Sequence, residues 1–453
     1  MYWIYSALLL AILVLSTPWW LWQILRHGKY RAGWSERLGS VPRRLRPHAA
    51  PETIWIHAVS VGEVLAITQL VTELKAQLRD YRIVVSTTTD TGQNLARQKF
   101  GEEDVFRVPL DLPWAVQAFL DALRPRMLVL AESEFWPNLL HCAHENGAAV
   151  AVVNARVSDR SLPRYRSFCW LFRRVLENVD LLLAQSEEDA RRLATIGAPA
   201  DRVHVGGNLK FDVKPPARGE INSRLADAIE RHCLGPVIVA GSTLEGEETM
   251  LLEAFRLVRG RYAQAMLVLA VRHPERFDSV TALLASSGLP FQRRSRWNDP
   301  PLVRTEEMSG APDGSSLAGG VLLLDSIGEL AGLYELADLA FIGGSLVPKG
   351  GHNVLEPAHF GVPILVGPHT ENFRDIVEVF RRADALRVVT PQTLTPTILA
   401  LLDNAVERET LGRNAREVMR SQQGATRRTA DELLTLLAGR TRQAVEAATE
   451  RPA

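Results

Sequence analysis

Three acidic side chains and one lysine stand where short apolar runs give way to loops. Glu63 is the single charged residue of "HAVSVGEVLA", residues 57–66, between the apolar run "TIWIHAV" and the helical run "VLAITQLVTELKAQL". Ser60-Val61-Gly62-Glu63 reads S-x-x-E, a capping box that satisfies two backbone N–H groups at a helix start. On local sequence alone that structural reading leads, and chemistry by the carboxylate stays open beside it. Glu132 and Glu134 in "LVLAESEFWPN" follow another apolar run, and alternation along it points both to one side. "GGNLKFD" supplies Lys210. A carboxylate facing a ligand is a candidate general base, and a lysine is a candidate counter-charge.

A second group lies further on. "FIGGSLVPKGGHNVLEPAHFGVPILVGPHTENF", residues 341–373, carries Gly343, Gly344, Gly350 and Gly351 with Lys349, His352 and Asn353 among them, and a helix is expected near Asn353. Glycines allow close backbone approach, and free N–H groups at a helix start favour a phosphate. Glu356 in the first turn could accept hydrogen bonds from sugar hydroxyls. A plain glycine-rich turn with a dipole-compensating Glu356 is the alternative. Arg272 and His273 in "AVRHPERF", Ile327, Gly328 and Glu329 in "DSIGELAGLYELAD", and Gly241, Ser242 and Thr243 in "GSTLEGEE" each follow an apolar run. Singly these are ordinary loop residues; their clustering on one edge is what points to binding. No G-x-G-x-x-G or Walker lysine pattern accompanies them, which weakens dinucleotide and NTPase readings.

The elements that must carry these residues alternate in type. "TIWIHAV", "RIVVSTT", "MLVLAES", "AAVAVVNA", "DLLLAQS" and "RVHVGGN" are rich in Val, Ile and Leu, as parallel strands covered on both faces should be. Amphipathic stretches such as "PWAVQAFLDALRP" and "EEDARRLATIG" separate them, the βαβ signature. The series pauses at "KFDVKPPARGE", residues 210–220, a linker candidate, and resumes with "PVIVAGS", "AMLVLAVRH", "GVLLLDS", "DLAFIGGS" and "VPILVGP". The pattern predicts two doubly wound α/β domains, with ligands beyond the carboxyl ends of the strands in a cleft that the two sheets face. Residues 295–316 are polar and rich in Gly, Pro and Ser, and read as a surface loop. The end, "RRTADELLTLLAGRTRQAVEAATE", reads as helix.

Composition fits this. The chain has 453 residues, too many for one ordinary core, with 52 basic and 52 acidic side chains, so net charge gives no argument for nucleic acid. Three cysteines, Cys142, Cys169 and Cys233, are scattered, which fits a reducing compartment. His141 and His144 in "HCAH" lack a second ligand pair and read as surface histidines on a helix. No charged side chain precedes Arg26, an apolar stretch long enough to cross a bilayer core of roughly 30 Å, with Trp19, Trp20 and Trp22 suited to an interfacial belt. Arg26, Lys29, Arg31, Arg37, Arg43, Arg44 and Arg46 then stand against one acid, Glu36, which predicts a cytoplasmic side for the rest of the chain. A cleaved signal peptide is the rival; it lacks a basic start and a small-residue cleavage site. Pro18 leaves a shallow, monotopic insertion open. "NARVSDRSLPRYRSFCWLFRR", residues 154–174, mixes six arginines with Tyr165, Phe168, Trp170 and Phe172; an anionic amphiphile and a solvated helix with a packed face suit it equally.

"HAVSVGEV", "ESEFWPN", "NARVSDRS", "GNLKFD", "RHPERF", "GGSLVPKGGHNVLEPA" and "GPHTENF", in this order behind an apolar N-terminus, closely resemble the 3-deoxy-D-manno-octulosonic acid (Kdo) transferases of lipid A biosynthesis over residues 1–425. The resemblance implies a GT-B glycosyltransferase with two Rossmann-like domains and an N-terminal membrane-anchor helix. It implies transfer of Kdo from CMP-Kdo to a tetraacylated lipid A precursor, at an anionic inner-membrane surface on its cytoplasmic side. By resemblance Glu63 is the general base, and Glu132 and Lys210 stabilise the transition state. Arg272, His273, Ile327, Gly328, Glu329, Asn353, Val354, Leu355 and Glu356 would hold the cytidine nucleotide. The expected organisation is an anchor (1–25), a basic segment (26–50), an acceptor-binding domain (51–213), a CMP-Kdo-binding domain (214–425) and a C-terminal helix and tail (426–453).

No metal, cofactor or nucleic acid is expected: no D-x-D pair occurs, and a glycine-rich helix start with Arg272 could stabilise the leaving cytidine phosphate. The helix dipole is expected to hold Glu63 ionised. Rival readings are another GT-B transferase, a nucleotide-sugar 2-epimerase of the same architecture, and a membrane-tethered binding protein on a degenerate transferase fold.

Overall fold

Runs of β-branched and Leu residues do form parallel strands. In the computed structural model, which describes residues 1–27, 33–46, 52–159, 161–214, 219–297 and 317–449, the first sheet holds β1 (Glu52–His57), β2 (Tyr81–Thr87), β3 (Val105–Arg107), β4 (Pro125–Ala131), β5 (Ala149–Ala155), β6 (Leu181–Ala184) and β7 (Val203–Val205). They lie in the order β3-β2-β1-β4-β5-β6-β7, all parallel. The second sheet holds β8 (Val237–Thr243), β9 (Met266–Val271), β10 (Phe291–Arg293), β11 (Val321–Leu324), β12 (Leu339–Ile342), β13 (Ile364–Val366) and β14 (Arg387–Val388), in the order β10-β11-β9-β8-β12-β13-β14, again all parallel. In each sheet the chain reverses its direction of travel once, between β1 and β4 and between β8 and β12. A crevice opens at such a reversal, because successive crossovers leave on opposite faces.

Two faces of the first sheet are filled by different halves of each strand, as the period of 2 requires. Trp55 points to a layer with Phe106 and Phe119, with ring centroids 5.4 Å apart for Trp55–Phe106 and 5.1 Å for Phe106–Phe119. Ile54 and Ile56 point to the other layer, against Ile67 and Leu70 of the helix Val61–Gln77.

The chain divides into Met1–Val213 with Gln422–Ala453, and Lys214–Ser421. The helix Ala425–Thr449, expected as a separate C-terminal helix and tail, therefore belongs to the first unit from its start. Ala425, Ala430, Leu433 and Leu437 are buried in the layer of Ile54 and Ile56. Its N-terminus is capped from a distance: Asp212 accepts hydrogen bonds from the Gly424 N–H (2.8 Å) and the Thr426 N–H (2.6 Å). The carboxylate does at long range what a local capping residue does at short range.

Three expected features fall partly or wholly outside the described residues: the loop at 295–316 beyond Trp297, Lys29, Arg31 and residues 47–50 of the basic segment, and residues 215–218 of the linker. The histidines of "HCAH" are half-buried, not surface groups, because the His141 ring stacks on Tyr2 at 3.9 Å.

Leu433 is 1% exposed. Leu433→Ala should lower the stability of the first unit by about 2–5 kcal/mol, the usual cost of a Leu-to-Ala cavity, read by chemical denaturation. A loss below about 0.5 kcal/mol would mean that the terminal helix is not part of this core.

Candidate active site

Glu63 occupies the third position of the helix Val61–Gln77, which leaves the carboxyl end of β1. The capping box is not formed in its usual way. Ser60 makes no side-chain bond to a helix N–H; its hydroxyl donates instead to Glu63 Oε1 (2.9 Å). Glu63 Oε2 accepts from the Val59 N–H (2.7 Å), one residue ahead of the N-cap. Both donors thus aim and hold the carboxyl group. The residue is 8% exposed, so it is neither free in water nor sealed away.

Its ionisation departs from the dipole argument. Burial, followed by the negative charge of Glu132, pushes the Glu63 carboxyl up to about 7, with Glu134 adding a little; the Val59 and Ser60 hydrogen bonds pull the other way. Desolvation and like charges outweigh the helix start. Near neutral pH this group sits between acid and base.

Glu132 reaches Glu63 from the carboxyl end of β4, the strand beside β1 at the reversal point. β4 ends at Ala131, so the alternation argument for Glu132 and Glu134 does not apply: both stand beyond the strand. Glu132 has φ 58°, a left-handed conformation that a non-glycine residue adopts only when its surroundings impose it. Its Oε1 accepts from Lys210 Nζ at 2.8 Å. Glu134 accepts from the Trp136 indole N–H (3.1 Å), and burial raises its carboxyl above the ordinary range.

Lys210 is positioned by a capped 3-10 turn, Leu209–Asp212. Asn208 Oδ1 accepts from the Lys210 N–H, and Asn154 Oδ1, from a residue at φ 55°, accepts from the Leu209 N–H, both at 3.0 Å. His57, at the end of β1, is fully buried and hydrogen-bonded through Nδ1 to Ser86 Oγ (2.9 Å); burial lowers its pKa to about 4, so it is neutral.

In the second unit the expected residues follow the carboxyl ends of neighbouring strands. Arg272 and His273 follow β9 and are exposed. The Arg272 charge acts on both Glu356 and His352. Burial lowers His352 to about 4, and its Nε2 is buried with no hydrogen-bond partner among the described residues. Asn353 Nδ2 donates to Glu356 Oε1 (3.1 Å), while burial raises the Glu356 carboxyl. Asn353 and Val354 precede the helix, which runs only from Leu355 to Phe360. So short a helix has little dipole, and anion binding by this loop must rest on side chains and single N–H groups. Ile327, Gly328 and Glu329 also precede their helix, Leu330–Leu333. Ile327 is 80% exposed, Gly328 has φ 91°, and Glu329 accepts from Arg294 (2.9 Å) and from the Ser326 hydroxyl.

One residue here was missed from the sequence. Glu247 is 0% exposed and its carboxylate accepts four backbone N–H groups: Leu244 (2.9 Å) and Gly344 (2.7 Å) on Oε2, Ser345 (3.0 Å) and Leu346 (2.9 Å) on Oε1. It ties the loop after β8 to the loop after β12 across the second reversal point. Gly343 lies so close to Ser242 that an added Cβ would meet its carbonyl oxygen at 2.3 Å. Glu247 opens the helix Glu247–Arg261, and three of the four N–H groups it serves are remote in the chain.

Comparisons with known proteins bear on the family and the fold. A family model described as 3-deoxy-D-manno-octulosonic-acid transferase matches residues 32–213. The 3-deoxy-D-manno-octulosonic acid transferase of Haemophilus influenzae is 34% identical over 89% of this chain and 91% of its own. That of Bordetella pertussis is 36% identical over 91% of this chain and 95% of its own. The crystal structure of UDP-GlcNAc 2-epimerase from Neisseria meningitidis bound to UDP-GlcNAc shares the fold, with a TM-score of 0.56 at 13% identity, over 85% of this chain and 100% of that one.

Glu247→Gln keeps the shape but turns one acceptor oxygen into a donor facing two N–H groups. It should destabilise the second unit by about 1–3 kcal/mol, the cost of buried groups left unpaired. Chemical denaturation followed by a probe in that unit measures it; a variant as stable as the parent would remove Glu247 from this role.

Proposed function

The chain belongs to the 3-deoxy-D-manno-octulosonic acid transferase family, and from that premise we propose that it transfers Kdo from CMP-Kdo to the tetraacylated lipid A precursor, with inversion at the anomeric carbon and without metal or cofactor. The setting proposed is the cytoplasmic side of the inner membrane of a Gram-negative cell. The observation that carries the chemistry is the Glu63 carboxyl group, held by Val59 and Ser60 next to Glu132 and Lys210.

In the proposed reaction an ionised Glu63 accepts the proton of the acceptor hydroxyl as its oxygen attacks the anomeric carbon, and cytidine monophosphate leaves from the opposite side. A carboxyl pKa near 7 supports this role, since a base with raised proton affinity remains partly ionised in the cell and takes a proton more readily than an ordinary carboxylate. The Glu132–Lys210 pair sets a fixed charge array beside the reacting atoms, preorganised by the capped turn at Asn208. For the donor, Arg272 is the candidate partner of the phosphate. Glu356, Asn353 and the unpartnered His352 Nε2 are candidates for sugar and base. Val354, Leu355 and the Ile327–Gly328–Glu329 turn offer backbone groups. Metal independence is supported by a charge already available: Arg272 can offset the negative charge on the leaving phosphate.

Incubation with CMP-Kdo and lipid acceptor, followed by mass spectrometry of the lipid, should show added Kdo units and continue in the presence of EDTA. No mass gain would remove the assignment. Glu63→Gln should cut transfer by about 10²–10⁴-fold, the usual contribution of a general base, with CMP-Kdo binding retained. Because only the ionised carboxylate can accept the proton, the wild-type rate should fall about tenfold per pH unit below about 7 and level off above it. A profile flat from pH 5 to 8 would exclude Glu63 as the base.

A further inference from the structure

Tyr2–His27 forms one helix, and its start is fastened to the first unit. The Tyr2 hydroxyl accepts from Asn178 Nδ2 (2.8 Å) and donates to the Arg174 carbonyl (3.2 Å). Ser6 is buried and its hydroxyl accepts from Asn138 Nδ2 (3.0 Å); Tyr5 hydrogen-bonds to Asp111. The chain beyond the helix is fastened to the same unit. The Arg107 N–H donates to Glu36 Oε2 (2.8 Å), the Leu110 N–H to the Arg37 carbonyl (2.7 Å), and Gly33 lies against the Arg107 side chain. Between these two attachments many of the described apolar side chains of the helix face solvent. Its window Tyr2–Trp19 has a mean hydropathy of 1.5 with 6% buried, and Trp3 and Leu15 are 86% and 80% exposed.

A helix of this length, about 39 Å at 1.5 Å per residue, could cross a hydrocarbon core of about 30 Å. Crossing would put its start and its end on opposite sides. The six steps from His27 to Gly33 span at most about 22 Å, too little to return through the core. A polar-surfaced α/β unit cannot hold both flanks unless both lie on one side. We propose that the helix does not cross: it lies along one leaflet, and its partner is the interface of an anionic bilayer.

A second surface beside it supports that partner. The helices Leu162–Ser167 and Cys169–Leu176, the second of which carries the Arg174 carbonyl that Tyr2 bonds, expose Arg164, Arg166, Trp170 and Arg173, with exposed Phe168 between them. Trp170 is 64% exposed, and the one acid between Ser161 and Asn178 is Glu177. Exposed aromatic and guanidinium groups together fit phosphate headgroups over acyl chains. They do not fit a second copy of this chain, whose arginines would meet these across the contact. The inference deepens the membrane part of the proposal above and does not depend on the transfer chemistry.

Topology is read on the full-length protein with Cys142→Ser and Cys169→Ser, keeping exposed Cys233 as the cytoplasmic reporter. Trp3→Cys should resist a membrane-impermeant maleimide applied to spheroplasts, while Cys233 labels in inside-out vesicles. Labelling of Trp3→Cys from outside puts the helix start across the bilayer and overturns the proposal. In flotation, the protein should bind phosphatidylglycerol vesicles more tightly than phosphatidylcholine vesicles. Arg164→Gln, Arg166→Gln and Arg173→Gln together should weaken the former by about tenfold or more. Equal binding to both lipids, or an unchanged triple variant, refutes the anionic surface; a cross-linked dimer that does not float refutes the lipid partner. None of these readings uses Kdo transfer, so failure of the enzyme assay leaves them standing.

Discussion

A carboxyl group partly withdrawn from water, steadied by one backbone N–H and one hydroxyl and pressed by a neighbouring negative charge, is the interaction around which the first unit is arranged. Each contributor has its own structural origin. β1 delivers Val59 and Ser60, the helix after it delivers Glu63, and β4 delivers Glu132 at a left-handed residue. The adjacency of β1 and β4 exists only because the sheet order reverses there. Were β4 to lie elsewhere in the sheet, Glu63 would keep its two hydrogen bonds and lose the repulsion that adds to burial in raising its proton affinity.

The second unit meets the same topological demand with opposite means. At its reversal point Glu247 is wholly enclosed and spent on four N–H groups, so it organises the backbone and has no lone pair directed at a ligand. The groups left to interact are those that the loops present: Arg272, His352, Asn353 and Glu356. One acid is therefore structural and the other poised, although each stands within the first turn after a strand.

Much of this could be read from the residues, and the failures have physical causes. The long strands announce themselves through Val, Ile and Leu runs, and the position of Glu63 at a helix start is implied by its neighbours. β3, β10 and β14 have two or three residues each, too few for a period to appear, and take their form from the strand beside them. The charge state of Glu63 was misjudged because a local rule, the helix dipole, is outweighed by burial of the carboxyl group and by a carboxylate that arrives from another strand. The helix expected near Asn353 begins at Leu355, and Gly361, at φ 67°, ends it after Phe360. Glu247 escaped notice since three of its four partners lie about a hundred residues away and all are main-chain atoms without side-chain identity.

Asp212 and the helix it caps have a consequence for biosynthesis. The first unit is built from segments that flank the second in the chain, since Ala425, Ala430, Leu433 and Leu437 close one face of its sheet. The second unit is continuous in the chain and can acquire its core while translation proceeds. On the ribosome, then, the order of emergence and the order of completion are inverted: the half that emerges earlier waits, with Ile54 and Ile56 uncovered on one side, until the helix Ala425–Thr449 has been made.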